Sequence, residues 1–272
     1  MFLFETVTAQ ANKETRVMTY NIRYKNSIDS INGWEYRRDN VTSLIQYHQA
    51  DIIGVQEAFL VQINDMEKRM PAYKWYGVAR VTGPSAEYAA IFYRADKYKL
   101  LDSGTFWFSE TPYLKESKSW DAMYPRVASW CKFRDKKNGT VFYFFNTHLD
   151  HIGEIARQHS ADILNQQIDS IAKKLPVILT GDFNSVPTSV AYKKIIDHGQ
   201  LNDALDITTT PHYGPVNTSS GFRVSDKPIR GRIDYVFVTK KVMVSQHVTI
   251  TDQQEARYYS DHLPVLALVN IQ

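Results

Sequence analysis

Six short apolar segments of this chain each carry an asparagine, glutamate, histidine or aspartate at or beside one end. The segments are TYNIR (19–23), VQE (55–57), NTHL (146–149), TGDFN (180–184), RIDYV (232–236) and YSDHLP (259–264). Short apolar runs of this kind are typical of strands in a buried sheet, and a polar residue at the end of such a strand lies at the rim of the sheet. We therefore predict that the six ends converge on one cleft.

The hydrophobic pattern between these segments predicts both helices and strands. Helical spacing predicts helices over 34–49, 59–69, 153–174 and 188–197. Apolar runs predict strands over 16–22, 51–56, 73–80, 88–94, 99–108, 127–133, 140–146, 176–180, 232–238, 242–249 and 263–269. Many strands with few helices between them predict an α/β fold in which two sheets pack face to face and helices cover their outer faces. We expect residues 15–272 to form one domain.

The composition is that of a globular protein and excludes several other classes. Of the 272 residues, 43% are hydrophobic, and no apolar run is long enough to predict a membrane span. The net charge of +3 permits a polyanionic substrate, but it is smaller than the basic excess of a DNA-coating protein. The single cysteine, Cys131, excludes an intramolecular disulfide, and its apolar neighbours predict a buried core thiol.

The first residues predict a leader. Residues 1–4 (MFLF) are apolar, and AQA at 9–11 resembles a signal-peptidase site, but the basic start and longer apolar core of a complete signal peptide are missing. We interpret 1–14 as the end of a signal peptide and expect a periplasmic or secreted protein. The alternative is a disordered leader on a cytoplasmic protein.

Three of the segments carry side chains suited to metal or phosphate. Glu57 at the end of an apolar strand requires a partner, which is either a divalent cation or a salt bridge or helix N-terminus. Asn21 offers its carbonyl to a metal or its amide to a phosphate, or it forms a turn. Asp182 and Asn184 lie two apart in an extended segment, so their side chains share one side, where they can align a water and hold a phosphoryl oxygen. A Gly-Asp-x-Asn turn without chemistry is also common.

This ordered set of segments resembles the endonuclease/exonuclease/phosphatase superfamily, the DNase I-like metal-dependent phosphohydrolases, from about residue 16 to residue 270. The stretch GTFWFSETP (104–112) resembles an uncharacterised bacterial branch of it. The resemblance implies a four-layer α/β sandwich of two mostly antiparallel sheets flanked by helices. It also implies a metal-dependent phosphoric ester hydrolase that uses Mg²⁺, with Mn²⁺ as an alternative, and in-line attack of water on phosphorus.

The resemblance also implies roles for individual residues. Asp182 would orient or deprotonate the attacking water, and Asn184, His148 and His262 would stabilise the transition state. Asp234 would orient His262, and Glu87 would do the same for His148. It implies Glu57 and Asn21 as metal ligands, and Asp261 is a further candidate ligand, with hydrogen bonds to backbone amides as its alternative. Many nuclease relatives carry an aspartate where this chain has Arg23, which weakens the case for a second metal site.

Further residues are expected to contact the substrate. The guanidinium groups of Arg126 and Arg23 suit a phosphate, and aromatic side chains in the cleft loops can stack on a base or a sugar. The aromatic candidates are Trp34, Trp120 and Phe222, with core packing as the alternative for each. Three loops, 27–33, 109–124 and 207–231, would select the substrate, because a fold and its core site do not determine it.

Three functions remain open from the sequence. The first is a phosphodiesterase, a nuclease acting on nucleic acid, which the aromatics and mild positive charge favour. The second is a hydrolase of a small phosphoester, such as a sugar phosphate, inositol phosphate or lipid head group, which the lack of a strongly basic stripe favours. The third is a catalytically silent binding protein, which the full set of active-site residue types disfavours. We expect a monomer in each case.

Overall fold

The computed structural model describes residues 14–225 and 231–272, so the predicted leader lies outside the described residues apart from Glu14. The helices are α1 (Trp34–Tyr47), α2 (Leu60–Arg69), α3 (Glu154–Ala172), α4 (Val190–Asp197) and α5 (Ala204–Ile207), with a 3-10 segment at Ser27–Asn32. The first seven strands are β1 (Thr15–Asn21), β2 (Ile52–Phe59), β3 (Tyr73–Tyr76), β4 (Glu87–Arg94), β5 (Tyr98–Trp107), β6 (Val127–Asp135) and β7 (Val141–His148). The others are β8 (Val177–Asp182), β9 (Leu201–Asp203), β10 (Asp234–Thr239), β11 (Val242–Thr249), β12 (Gln253–Gln254), β13 (Arg257–Tyr258) and β14 (Val265–Ile271).

The strands form two six-stranded sheets and one small hairpin within the described residues. One sheet has the order β11-β14-β1-β2-β4-β3, the other has the order β5-β6-β7-β8-β10-β9, and β12 pairs with β13. Both large sheets are mixed, because β1 runs parallel to β2 and β7 runs parallel to β8. No described helix is long and apolar enough to cross a bilayer.

Side-chain alternation along the strands produces the layers. Neighbouring residues of a strand point to opposite faces; Met18 of β1 packs with α1 and α2, whereas Val17 packs between the sheets. The outer face of the second sheet packs against α3 and α4, as Leu179 of β8 does. Cys131 lies buried between the sheets, as predicted. The result is the predicted four-layer α/β sandwich.

The two sheets approach each other closely at Gly54, beside a polar cluster. A side-chain carbon at Gly54 would lie 2.1 Å from Thr180 Oγ1 and 2.4 Å from Asn146 Oδ1, so only glycine fits there. The buried Asn146 amide donates to the backbone oxygens of Val55 and Ala90 in the opposite sheet, at 3.0 and 2.9 Å. It also accepts from Gln56 Nε2 at 2.6 Å. These bonds fix the register of the sheets just below the strand ends.

The predicted helices and the long strands are present within a few residues of their expected ends. The sequence missed the short strand β9, the one-turn helix α5 and the β12–β13 hairpin, which lie in stretches without hydrophobic periodicity. The loop predicted over 207–231 is irregular where it is described, and residues 226–230 lie outside the described residues.

Candidate active site

Strand register brings three of the predicted residues together at one edge of the second sheet. His148 ends β7 directly opposite Asp182, which ends the parallel strand β8. Asp234 begins β10 directly opposite Asp182 on its other side, because β10 runs antiparallel to β8. His148 and Asp182 line a cleft of about 550 Å³, which is also lined by Glu57 of β2 and Asn184.

Asp182 lies at the centre of the cleft and is 1% exposed. Its Oδ1 accepts the backbone N–H of Asn184 at 2.9 Å, and its Oδ2 accepts from Asn21 Nδ2 at 3.0 Å. Burial, together with the nearby Asp234 carboxylate, raises the pKa of Asp182 to about 7, although His262 opposes this shift. The carboxylate is therefore fixed in position and its pKa is close to neutral, which suits a group that handles the proton of a water.

His262 is held by Asp234. Its Nδ1 lies 2.8 Å from Asp234 Oδ2, and its Nε2 lies 3.7 Å from Asp182 Oδ2. Burial alone would lower the pKa of His262, but the carboxylates of Asp234 and Asp182 raise it well above its ordinary value. His262 therefore presents a positively charged imidazolium to the cleft.

His148 lies on the other side of Asp182 in a different electrostatic setting. Its Nε2 is 3.5 Å from Asp182 Oδ2 and 3.1 Å from Asn184 Nδ2. Its Nδ1 is 3.7 Å from Glu87 Oε2, which is too long for a hydrogen bond. Burial and the charges of Arg126 and Arg80 hold the pKa of His148 well below its ordinary value. His148 is therefore neutral.

Glu57 reaches the cleft because β2 carries a bulge. The pairing with β4 is irregular between Val55 and Ala58, and Glu57 has a left-handed φ of 62°. Burial would raise the pKa of Glu57, but His262, the Asn21 amide and Arg23 together lower it. Glu57 is therefore a carboxylate at the cleft, in the position that the sequence predicts for a metal ligand.

The residues around Glu57 fit a divalent cation. Glu57, His148 and Asp182 each offer a ligand atom, and these atoms lie within 4.8 Å of one another; the same holds for Asp182, Asp234 and His262. Carboxylate oxygens are the ligands that hard divalent cations prefer. Asn21 contributes its amide nitrogen to this cluster, donating to Glu57 Oε1 at 3.0 Å, while its carbonyl oxygen accepts from the backbone of Arg23 at 3.0 Å. In this arrangement the amide nitrogen of Asn21 positions two carboxylates, and its role as a metal ligand stays a prediction.

Asp261 faces Arg23 at the same end of the cleft. Asp261 Oδ2 lies 3.6 Å from Arg23 Nη1, and burial raises the pKa of the Asp261 carboxyl. The guanidinium of Arg23 also forms a fork with Asp29, at 3.1 and 3.2 Å. The predicted ligand Asp261 is therefore paired with an arginine of the same chain.

Two more arginines line the cleft. Arg80, which the sequence analysis missed, donates to Glu87 Oε1 at 2.7 Å, and Arg126 lies 3.4 Å from Asp150. One nitrogen of each guanidinium, Nη1 in both cases, is buried without a hydrogen-bond partner in the described part of the chain. Glu87 is thus bound to Arg80 more closely than to His148, and burial raises its pKa.

The backbone of the cleft is held by buried polar side chains that no local pattern reveals. Arg37 of α1 donates to the backbone oxygens of Ile22 and Arg23, the latter at 2.8 Å. Gln62 of α2 donates to Arg23 O at 2.9 Å. Ser260 Oγ donates to Asn21 O at 2.7 Å, which ties the C-terminal segment to β1.

Asp150 organises the rim next to Arg126. It accepts the backbone N–H groups of Met123, Ile152 and Gly153 at 3.1, 2.9 and 2.7 Å. Burial would raise the pKa of Asp150, but these N–H groups and Arg126 lower it to about 2. The aspartate therefore joins the 109–124 loop to the turn that follows β7. Only its position directly after NTHL could have indicated this role.

The predicted aromatic contacts are placed elsewhere. Trp34 is 1% exposed and donates to Asp65 at 2.9 Å, so it is a core residue and not part of the cleft. Phe222 is 8% exposed and packs beside Arg37. Trp120 stacks on His159 of α3, with ring centroids 4.3 Å apart. The aromatic rings that line the cleft are those of Tyr24, Phe59 and Tyr124. Hydrophobic periodicity in the sequence does not distinguish an aromatic residue of the cleft from one of the core.

Comparison with known proteins agrees with this geometry. Residues 18–262 match the model of the endonuclease/exonuclease/phosphatase family. A Bacteroides vulgatus protein described as an endonuclease/exonuclease/phosphatase has a TM-score of 0.89 and 38% identity, covering 95% of this chain and 99% of that one. The mannosyl-6-phosphatase Bt3783 of Bacteroides thetaiotaomicron has a TM-score of 0.88 and 38% identity, covering 94% and 99%.

A curated relative is the CCR4-Not complex 3'-5'-exoribonuclease subunit Ccr4 of Aspergillus niger. It is 24% identical over 221 residues, which cover 63% of this chain. The match spans only 33% of the fungal protein. Because the family model covers most of the chain and the fold and cleft agree with it, this chain belongs to the endonuclease/exonuclease/phosphatase family and is a phosphoric ester hydrolase.

Proposed function

We propose that this protein hydrolyses small phosphate monoesters, with sugar phosphates as the leading class, by a divalent-metal-dependent in-line attack of water. The observation that carries the proposal is the pair of arginines, Arg80 and Arg126, that together line the cleft. A monoester phosphate carries more negative charge than a diester, and planar guanidinium groups bind its oxygens well.

Similarity to a phosphatase supports the proposal. The mannosyl-6-phosphatase Bt3783 shares 38% identity with nearly the whole chain. The cleft volume of about 550 Å³ also suits a small molecule.

The residues of the cleft divide the chemical work between them. A bound Mg²⁺ or Mn²⁺ beside Glu57 would neutralise charge on the phosphate and on the leaving oxygen. Asp182, held by Asn21 and by the backbone of Asn184, orients the attacking water and accepts its proton. The imidazolium of His262 and the amide of Asn184 donate to the equatorial oxygens as negative charge builds on them.

A phosphodiesterase remains the second candidate, and a specific observation favours it. A side cleft of about 340 Å³ shares His151 and Asn184 with the main cleft. It would accept the second ester arm of a diester, which a monoester lacks. The exoribonuclease named among the curated relatives is consistent with this alternative.

The deciding experiment compares p-nitrophenyl phosphate with bis(p-nitrophenyl) phosphate, in Mg²⁺ and in EDTA. We expect monoester cleavage to dominate and to be lost in EDTA. Arg126→Gln should lower kcat/KM for the monoester by about 10²-fold, with a smaller effect on the diester. Arg134→Gln is the matched control, because Arg134 is an exposed arginine of β6, the strand that Arg126 directly precedes.

Two results would contradict the proposal. Faster cleavage of the diester by the wild-type protein would move the assignment to the phosphodiesterase. Activity that survives EDTA would exclude the metal-dependent mechanism.

A further inference from the structure

Arg23 is a cation fixed in the cleft. Its guanidinium forks onto both oxygens of Asp29, at 3.1 and 3.2 Å, and lies 4.4 Å above the ring of Tyr24. Its backbone has a left-handed φ of 57°, and its carbonyl accepts from Arg37 and Gln62. With 24% of the side chain exposed, the group is anchored on one side and open to the cleft on the other.

The carboxylates of the cleft are not equally available to metal ions. Of the four that line it in the described part of the chain, two have an arginine partner: Asp261 has Arg23 at 3.6 Å and Glu87 has Arg80 at 2.7 Å. The other two, Glu57 and Asp182, are joined through the amide of Asn21, at 3.0 Å each. The two cleft carboxylates without an arginine partner, Glu57 and Asp182, therefore lie next to each other.

Two-metal sites of phosphohydrolases hold their ions about 3.5–4 Å apart, with carboxylates around each ion. A second ion on the Arg23 side of the Glu57 group would need Asp261, the carboxylate that faces Arg23. The guanidinium and a divalent cation would then compete for the same oxygen, and their charges repel each other.

We propose that Arg23 is a built-in second cation: the site binds one divalent metal ion at Glu57, and Arg23 supplies the positive charge on the Asp261 side. The inference rests on the metal dependence in the proposed function. It predicts that removing the guanidinium frees Asp261 and Asp29 for a second ion. Arg23 then acts as a specificity-determining residue for the metal content of the site.

The test is a titration of metal-free protein with Mn²⁺ by isothermal calorimetry, without substrate. The wild-type protein should bind one ion per chain. Arg23→Asp should bind two, because the introduced carboxylate joins those of Asp29 and Asp261 in place of the guanidinium. Aspartate tolerates the left-handed backbone of this position better than most residues. Arg23→Asn, which removes the charge and adds no ligand carboxylate, should also bind two, with the second ion weaker than in Arg23→Asp.

The matched control is Arg257→Asp. This substitution changes the net charge equally but acts on an arginine that pairs with Glu255 outside the cleft, and it should leave one ion per chain. Circular dichroism checks that each variant is folded, and Arg23→Asn decides the question if Arg23→Asp does not fold.

The outcomes separate this inference from the proposed function. Two ions in the wild-type protein, or one ion in a folded Arg23 variant, would overturn the inference alone. A wild-type protein that binds no Mn²⁺ would overturn the proposed metal dependence and this inference together. One bound ion with no hydrolysis of monoesters would overturn the proposed substrate class and leave the single-metal site standing.

Discussion

His148 and His262 lie on either side of Asp182 at nearly equal distances, 3.5 and 3.7 Å, yet His262 is positively charged and His148 is neutral. His262 bonds Asp234 at 2.8 Å, and its pKa is raised well above the ordinary value. The Nδ1 of His148 has no carboxylate in hydrogen-bond contact, because Glu87 lies 3.7 Å away, and the pKa of His148 is lowered well below the ordinary value.

The difference shows that the hydrogen-bond partner of each histidine determines its charge, although both histidines lie at the rim of the cleft. A carboxylate in hydrogen-bond contact fixes one tautomer and stabilises the imidazolium. Glu87 cannot do this for His148, because it is bound to Arg80. The resulting site has a charged donor on one side of Asp182 and a neutral imidazole on the other.

The largest expected effect is the loss of the central carboxylate between the two histidines. Asp182→Asn keeps the shape of the side chain and removes the group that orients the water. We expect kcat/KM in Mg²⁺ to fall by about 10²–10⁴-fold, the usual contribution of a general base. Steady-state kinetics on p-nitrophenyl phosphate measures this, and Asp206→Asn, at an exposed helix position, is the control. Near-normal activity of Asp182→Asn would show that the role is misassigned.

The next effect concerns the charged histidine. Asp234→Asn removes the carboxylate that raises the pKa of His262, so this pKa should fall and the imidazolium should be lost at neutral pH. We expect kcat/KM to drop by about 10²-fold at pH 7 and to recover in part at lower pH. NMR titration of the His262 ring gives the pKa directly. An unchanged pKa would refute the comparison drawn between the two histidines.

Stability in the absence of metal should also depend on Asp182. Its pKa of about 7 in the folded protein lies above its ordinary value of 3.8. The protonated Asp182 therefore contributes to the free energy of unfolding in full below about pH 4. This contribution is lost as the pH rises towards 7. In EDTA, Asp182→Asn should have a higher Tm than the wild type at pH 8 and an equal Tm at pH 4. A variant that is less stable than the wild type at pH 8 would contradict this sign.

The smallest effect is expected for the neutral histidine. Glu87→Gln removes a carboxylate that does not bond His148, so kcat/KM should change by less than about tenfold, equivalent to about one pKa unit of interaction. Comparison with Asp234→Asn in one assay sharpens the contrast. A loss as large as that of Asp234→Asn would mean that Glu87 orients His148 after all.

The strand ends could be predicted because their signal is local. Apolar runs closed by Asn21, His148 or Asp182 lie in single stretches of sequence, and the confirmed sandwich brings them together. The position of Glu57 at the cleft was also predicted, although the bulge in β2 that directs its side chain there was not. The leader and the exported location stay predictions, since residues 1–13 lie outside the described residues.

Other contributions to the cleft could not be predicted, because they depend on partners distant in sequence. No local sequence pattern distinguishes Arg80 from a surface arginine. Its role at the cleft depends on its hydrogen bond to Glu87. Trp34 reads equally well as a cleft aromatic or as a core residue, and only its burial against α2 decides. The sequence predicts Asp261 as a metal ligand, and only the structure shows Arg23 3.6 Å from its carboxylate.

The sequence by itself determined the family, the order of the strands that carry polar ends and the residue types at the centre of the cleft. These follow from hydrophobic periodicity and short motifs, which depend only on neighbouring residues. The tertiary structure decided which carboxylate pairs with which cation, and so which histidine is charged and which acids remain for a metal ion. Such pairings are set by distances of 3 to 4 Å between side chains from different strands and loops, and electrostatic energies change steeply over that range.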